Sequence, residues 1–449
     1  MNNHNRLITE RIPKLIKEIA LPASVGFFFH TMYNVVDTFY GGLISTEALA
    51  ALTLSFPVFF IIIAIGSGIS TGGTVLISNH IGAGRHDEKL VYSAQVISFG
   101  VLISFFLTVL GLATAPFLFK LLGASAQYLA LSLAYINVIF YGTVFFLLNN
   151  VLNSALVAIG DTKTFRNYLI IGFFLNLILD PWFLLGGFGL PAMGLAGIAL
   201  ATVVIQVLGC FYMYYKVVKA GMFSRESWSL LKPRKKTFFE IAQQGFPASL
   251  NMMTVAIGIF VITYFISWFG QTAVAAYGIA TRVEQIALLP SIGLNIAALT
   301  LIGQNNGAKQ YQRIKIIIRK CLKYGLIIMT FGAIAVFFLP RQLMGIFTGD
   351  QAVILIGSQY LKIAAFILWA YVLIFINVSA MQGVKKPMFA VWIGLYRQII
   401  APIIVFLFLI KVMGWGLFGV WWGVFIITWS AALIALFYSK KVINRLDVV

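Results

Sequence analysis

The chain has 449 residues, 61% of them hydrophobic and 10% charged, with a formal net charge of +19. A soluble domain of this size cannot cover its surface with so few charged side chains, so the composition excludes one and indicates an integral membrane protein. The positive balance does not indicate a nucleic-acid partner, because no segment is long enough for a basic soluble domain and the Lys and Arg residues lie between apolar stretches.

Residues 1–18 carry Arg6, Arg11, Lys14 and Lys17 and no small-residue cleavage site. Ile8, Ile12, Leu15 and Ile19 recur at helical spacing, so this cytoplasmic tail is expected to lie on the membrane as an amphipathic helix interrupted at Pro13. Twelve spans follow, over residues 19–43, 48–79, 91–115, 127–157, 166–187, 192–216, 240–268, 272–303, 318–339, 352–381, 388–411 and 415–438. Each is long enough for the roughly 20 residues that cross a bilayer as a helix, and period-2 alternation is absent, so the fold class is all-α. Two six-helix lobes are expected, over 19–216 and 240–438, joined by a charged linker over 217–239 and ended by a tail over 439–449.

With the N-terminus inside, 26 of the 32 Lys and Arg residues fall on the cytoplasmic side and 3 (Lys120, Arg341, Lys411) outside, which places both termini in the cytoplasm. The two halves repeat at an offset of 225: Pro22-Ala23-Ser24 matches Pro247-Ala248-Ser249, Gly82-Ala83 matches Gly307-Ala308, and Ser154-Ala155 matches Ser379-Ala380. Six spans per half insert with one orientation, so the repeat is parallel, as in transporters whose halves rock about a central site.

Charge inside a bilayer costs about 2.5–3.5 kcal/mol per residue on insertion scales and needs a reason. Asp37 and Asp180 lie within spans of the N-terminal half, where Lys and Arg occur only at span ends (Arg166, Lys216), and Asp37 aligns with Ile262. The C-terminal half instead holds Arg282, Glu284, Lys362 and Arg397 well inside its spans. Two carboxylates without a basic partner suit a proton or a hard cation such as Na+. Asn176 is one turn before Asp180, Asn149 and Asn153 share a face, and Thr202 adds a hydroxyl. The competing reading is a polar network that locks helices together. Pro22, about four turns before Asp37, is a candidate hinge. Met32, Tyr33, Asn149, Met253, Arg282 and Glu284 are candidates to line a substrate cavity, against a competing role in packing or in structural ion pairs. Lys362 is a candidate partner for Glu284. Cys210 and Cys321 are read as inert packing residues. No phosphate-binding glycine loop with Lys and no intramembrane nucleophile with a base is present, so neither an enzyme nor an ATP-driven pump is expected.

Four stretches carry a family resemblance: Pro22 to Asp37, the Ile81-Gly82-Ala83-Gly84-Arg85 turn, the Gly160-Asp161-Thr162-Lys163 turn, and Asn176 to Pro181. With the two six-span halves, they make the chain similar to the multidrug and toxic compound extrusion (MATE) family, in particular its prokaryotic branch named for a DNA-damage-inducible member. The resemblance implies an antiporter of a bacterial or archaeal plasma (inner) membrane that exports amphipathic or cationic organic compounds in exchange for H+ or Na+. It implies no cofactor, membrane lipids as surroundings and a monomer. It assigns a cation or proton site to Asp37, Asp180 and Asn176, supporting roles to Asn153 and Thr202, and a bend to Pro22. Other branches carry an acid early in span 7, and residues 247–262 contain none. The alternative is a lipid-linked precursor flippase, which would gather Arg282, Lys362 and Arg397 in one basic cavity to hold pyrophosphate.

Overall fold

Inside a bilayer every backbone N–H and C=O must find its partner within the protein, and a helix meets that demand locally. A computed structural model describes residues 6–121, 126–187 and 189–446, so residues 1–5 and 447–449 of the two expected tails lie outside them. Twelve of its helices are long and apolar enough to cross a membrane. In the N-terminal half these are α1 (Ile12–Ile44), α2 (Thr46–Gly82), α3 (His86–Leu121), α4 (Ala126–Ala158), α5 (Lys163–Leu185) and α6 (Leu195–Lys219). In the C-terminal half they are α7 (Lys235–Ser267), α8 (Gln271–Gly307), α9 (Tyr311–Phe338), α10 (Gln351–Gly383), α11 (Met388–Val412) and α12 (Gly416–Leu446). Helix α11 is interrupted by π-helical turns at Tyr396–Ile400 and Phe408–Val412. Short helices at Arg6–Thr9 and Arg225–Leu231 precede α1 and α7.

Several helices run past their apolar stretch, because hydrophobicity marks the depth of the hydrocarbon while caps and turns decide where a helix stops. Ser45 caps α2 by accepting from the Ala48 N–H at 3.1 Å. The Gly160–Lys163 turn ends α4 at Gly160, φ +83°, and starts α5 through Asp161, which accepts from Thr164 N–H at 3.1 Å. Gly84, φ +72°, turns the chain after α2. The positions 225 residues later are Lys309 and Lys385, at φ +57° and +59°. The repeat therefore preserves the backbone turn even where glycine has been replaced.

The helix pairing repeats as well. In the N-terminal half α4 packs against α2, α3 and α6, and in the C-terminal half its counterpart α10 packs against α8, α9 and α12. The two compact units do not coincide with the two halves of the sequence. One unit is Val25–Ser249, and the other combines Met1–Ser24 with Leu250–Val449. The chain passes between them inside α1, just after Pro22, and inside α7, just after Pro247.

Small residues permit both crossings. In the first unit, a Cβ at Gly68 of α2 would lie 2.7 Å from the Gly245 carbonyl oxygen and 2.7 Å from the Ser249 nitrogen. In the second, a Cβ at Gly293 of α8 would collide with the Ala20 carbonyl and the Ser24 hydroxyl. The two contacts are repeat equivalents.

The second unit also buries the apolar stripe of the N-terminal segment. Leu7, Ile12, Leu15, Ile16 and Ile19 join a core with α8 and α9 residues such as Leu301 and Ile314. Asn305 Nδ2 donates to the Leu7 carbonyl at 3.3 Å, and the Arg313 guanidinium donates to that of Glu10. This stripe therefore lies against protein rather than on the membrane surface, since a preformed apolar face of the same chain meets the same need. Its polar side is tied by ion pairs from Arg6 and Lys14 to Glu10 and Glu18. The Lys14 ammonium holds the Glu10 carboxyl below the usual range.

Candidate cation site and its surroundings

The first unit brings the expected acidic residues together. Asn176 and Asp180, four apart on α5, are both fully buried on one face. Asn176 Nδ2 donates to Asp37 Oδ1 of α1 at 2.9 Å. Asp180 and Thr202 stand within interaction range of the Asp37 carboxyl. Both Asp180 oxygens lack a hydrogen-bond partner. Asn176 Oδ1, Thr202 Oγ1 and the Tyr33 hydroxyl are also buried and unpartnered, with Tyr33 close to Thr202 and both aspartates. Buried polar atoms are nearly always satisfied, so a cluster of open oxygens around two carboxylates has the donor chemistry of a proton or hard-cation site. Among the described residues no group of three or more His, Cys, Asp or Glu side chains is placed to hold a metal, so the donor set is carboxylate, amide and hydroxyl.

The other expected residues are distributed differently. Asn153 on α4 has a buried Oδ1 without a hydrogen-bond partner. Asn149, one turn earlier, donates to the Gln206 carbonyl at 2.8 Å and to Gln206 Oε1 at 2.7 Å, and Tyr168 donates to the same Oε1 at 2.8 Å. This network ties α4, α5 and α6 together and was not anticipated; Gln206 lies one turn beyond Thr202, the spacing that could have revealed it. Pro22 is buried in an uninterrupted α1, and Ser24 donates to the Ala20 carbonyl at 2.9 Å. Met32 and Met253 are half-buried.

In the second unit Glu284 is buried and accepts from the Tyr360 hydroxyl at 3.1 Å, while its Oε1 has no partner. No ion pair joins it to Lys362, which is exposed. Arg397 lies over the Tyr371 ring at 5.1 Å and lines a cavity of about 30 Å³ with Tyr277, Tyr360, Tyr371 and Gln398, room for about one water. Arg282 and Lys362 are exposed and do not line it. The basic cavity that a pyrophosphate-binding flippase calls for is therefore not assembled from these three residues.

The family pattern described as MatE matches residues 22–182 and again residues 247–407. The chain belongs to the MATE family. The two MATE matches are related by the same offset of 225 that relates the halves, so the repeat is a property of the family unit. Among MATE relatives, the probable multidrug resistance protein NorM of Thermotoga maritima is 28% identical over 427 residues, 93% of this chain and 90% of that protein. The FAD transporter of Shewanella oneidensis is 27% identical over 401 residues, 89% of this chain and 88% of that one. A solved outward-facing multidrug resistance MATE transporter of the MOP superfamily superposes with a TM-score of 0.92 at 23% identity, covering 99% of both chains, which establishes the shared fold. The protein is thus a multi-pass MATE transporter with twelve membrane-length helices.

Proposed function

We propose that the protein is a secondary antiporter that exports amphipathic organic compounds, cationic ones among them, in exchange for H+ or Na+. The observation that carries this reading is the acid-only site: Asp37 and Asp180 share a buried cluster with Asn176 and Thr202, and the Lys and Arg residues of that half lie toward the ends of its spans, away from this cluster. Such a site gains stability by taking up a positive ion. In the proposed cycle the outward-open state loads the ion at Asp37 and Asp180 as substrate departs. The loaded lobe then favours the inward-open state, which releases the ion and accepts substrate. A membrane potential supplies about 2.3 kcal/mol per charge per 100 mV, enough to bias a two-state equilibrium by tens of fold. The multidrug name of the Thermotoga relative supports a broad organic cargo, and the Shewanella FAD transporter extends the reading to anionic aromatic cargo. The bias of Lys and Arg supports a topology with both termini and the linker over 217–239 in the cytoplasm of a bacterial or archaeal cell.

The test is efflux of a fluorescent organic cation from proteoliposomes under an imposed pH gradient or Na+ gradient, applied separately. Asp37→Asn should abolish gradient-driven efflux while the protein still elutes as a single folded species. Undiminished transport by that variant refutes the assignment, and the gradient that drives the unaltered protein names the ion.

A further inference from the structure

The outward face of α9 carries a stripe of exposed side chains at helical spacing: Ile327, Phe331, Ile334 and Phe338. Its repeat counterpart on α3 carries Leu102, Phe106 and Val109, exposed in the same register. The two stripes differ at their cytoplasmic ends. On α3 the next turns present Gln95 and Ser98, and the linker helix Arg225–Leu231 lies over them. Gln95 Nε2 donates to the Leu230 and Lys232 carbonyls, Gln95 Oε1 accepts from the Arg234 N–H at 2.8 Å, and Ser98 donates to the Leu231 carbonyl. Neutral side chains here meet backbone carbonyls and one backbone N–H.

The equivalent positions on α9 are Lys320 and Lys323, with Arg319 beside them. Arg319 and Lys323 are exposed, four residues apart on the same stripe as Ile327 and Phe331, and Lys320 is half-buried. Among the described residues none of the three makes an ion pair or a side-chain hydrogen bond. Fifteen residues of helix separate Lys323 from Phe338, about 22 Å at the helical rise, against a hydrocarbon core of about 30 Å. Nineteen residues separate Arg319 from Phe338, about 28 Å, so with Phe338 at one boundary Arg319 stands at the headgroups of the inner leaflet, and Lys320 and Lys323, up to one turn deeper, reach them by extending their side chains.

We infer that Arg319, Lys320 and Lys323 form a binding site for the phosphate headgroup of an anionic phospholipid of the inner leaflet. The acyl chains run along Ile327, Phe331 and Ile334, and the three cations meet the phosphate with charge-assisted hydrogen bonds. Each cation near an anionic headgroup adds about fivefold in affinity, so three give a preference on the order of a hundredfold over a zwitterionic lipid.

The experiment is native mass spectrometry of the full chain released from vesicles holding equal amounts of phosphatidylglycerol and phosphatidylcholine. The unaltered protein should retain phosphatidylglycerol selectively. Arg319→Gln/Lys320→Gln/Lys323→Gln should lose most of that selectivity, and Lys219→Gln/Lys235→Gln/Lys236→Gln, which removes equal charge elsewhere on the cytoplasmic side, should keep it. Absence of selectivity in the unaltered protein overturns the site, as does an equal loss in both triple variants. Displacement of the retained lipid by inorganic phosphate alone overturns the lipid as ligand. Should the first triple variant misfold, Lys323→Gln reads the same loss at about fivefold, and an unchanged selectivity there counts against the site.

Discussion

Gly68→Ala perturbs the crossing that joins α7 to the first unit. The new Cβ would stand 2.7 Å from the Gly245 oxygen and 2.7 Å from the Ser249 nitrogen, both backbone atoms of α7. Ordinary contact begins near 3.4 Å, so α7 must withdraw by about 0.7 Å. Overpacking of this kind costs about 1–3 kcal/mol, while exchanging Gly for Ala in a helix returns about 1 kcal/mol. Gly42→Ala in α1 supplies the reference, because nothing lies within 4 Å of its Cβ position and it gains the helix term alone. The two buried cysteines give a readout for each unit, Cys210 in the first and Cys321 in the second. In a Cys321→Ala background, a thiol-reactive dye reports unfolding of the unit that contains Gly68. Gly68→Ala should unfold several degrees below Gly42→Ala, and Gly293→Ala should fall likewise below Gly278→Ala when Cys321 is the reporter. Equal midpoints within either pair would refute the close-crossing argument.

Two further outcomes are expected. Lys309→Gly relieves a left-handed backbone that costs an L side chain on the order of 1 kcal/mol, so the Cys321 midpoint should rise; a fall would show that the lysine side chain outweighs its strain. Gln95→Ala removes three hydrogen bonds that hold the linker, so tryptic cleavage at Arg225 and Arg234 should accelerate on the order of tenfold, and unchanged cleavage would mean that packing alone retains it.

The sequence carried the twelve helices and the likeness of the two halves, because apolar length and a repeat at one offset are both written in linear order. It also marked Asp37 and Asn176 as members of one candidate site, since unpaired acids in an apolar span have few explanations, and the two are hydrogen-bonded. Asn149 was legible as polar but not as the partner of Gln206, because that choice depends on which faces of α4 and α6 meet. The assignment of Met1–Ser24 to the second unit was hidden for a different reason. A repeat reveals that two halves are alike and says nothing about which half each first helix packs on. Glu284 could be seen to need a partner, but Tyr360 is 76 residues away and announces itself by no spacing.

The exchange of the two helix ends has a consequence for biosynthesis. Leu7 and Glu10 meet Asn305 and Arg313, partners 298 and 303 residues later in the chain. At about 5–20 residues per second, the ribosome needs roughly 15–60 s to deliver them. Throughout that interval Leu7, Leu15 and Ile19 have no protein surface to cover them. The nascent chain must shelter this stripe elsewhere, at the bilayer surface or on a chaperone, and the second unit closes only after most of the protein has been made.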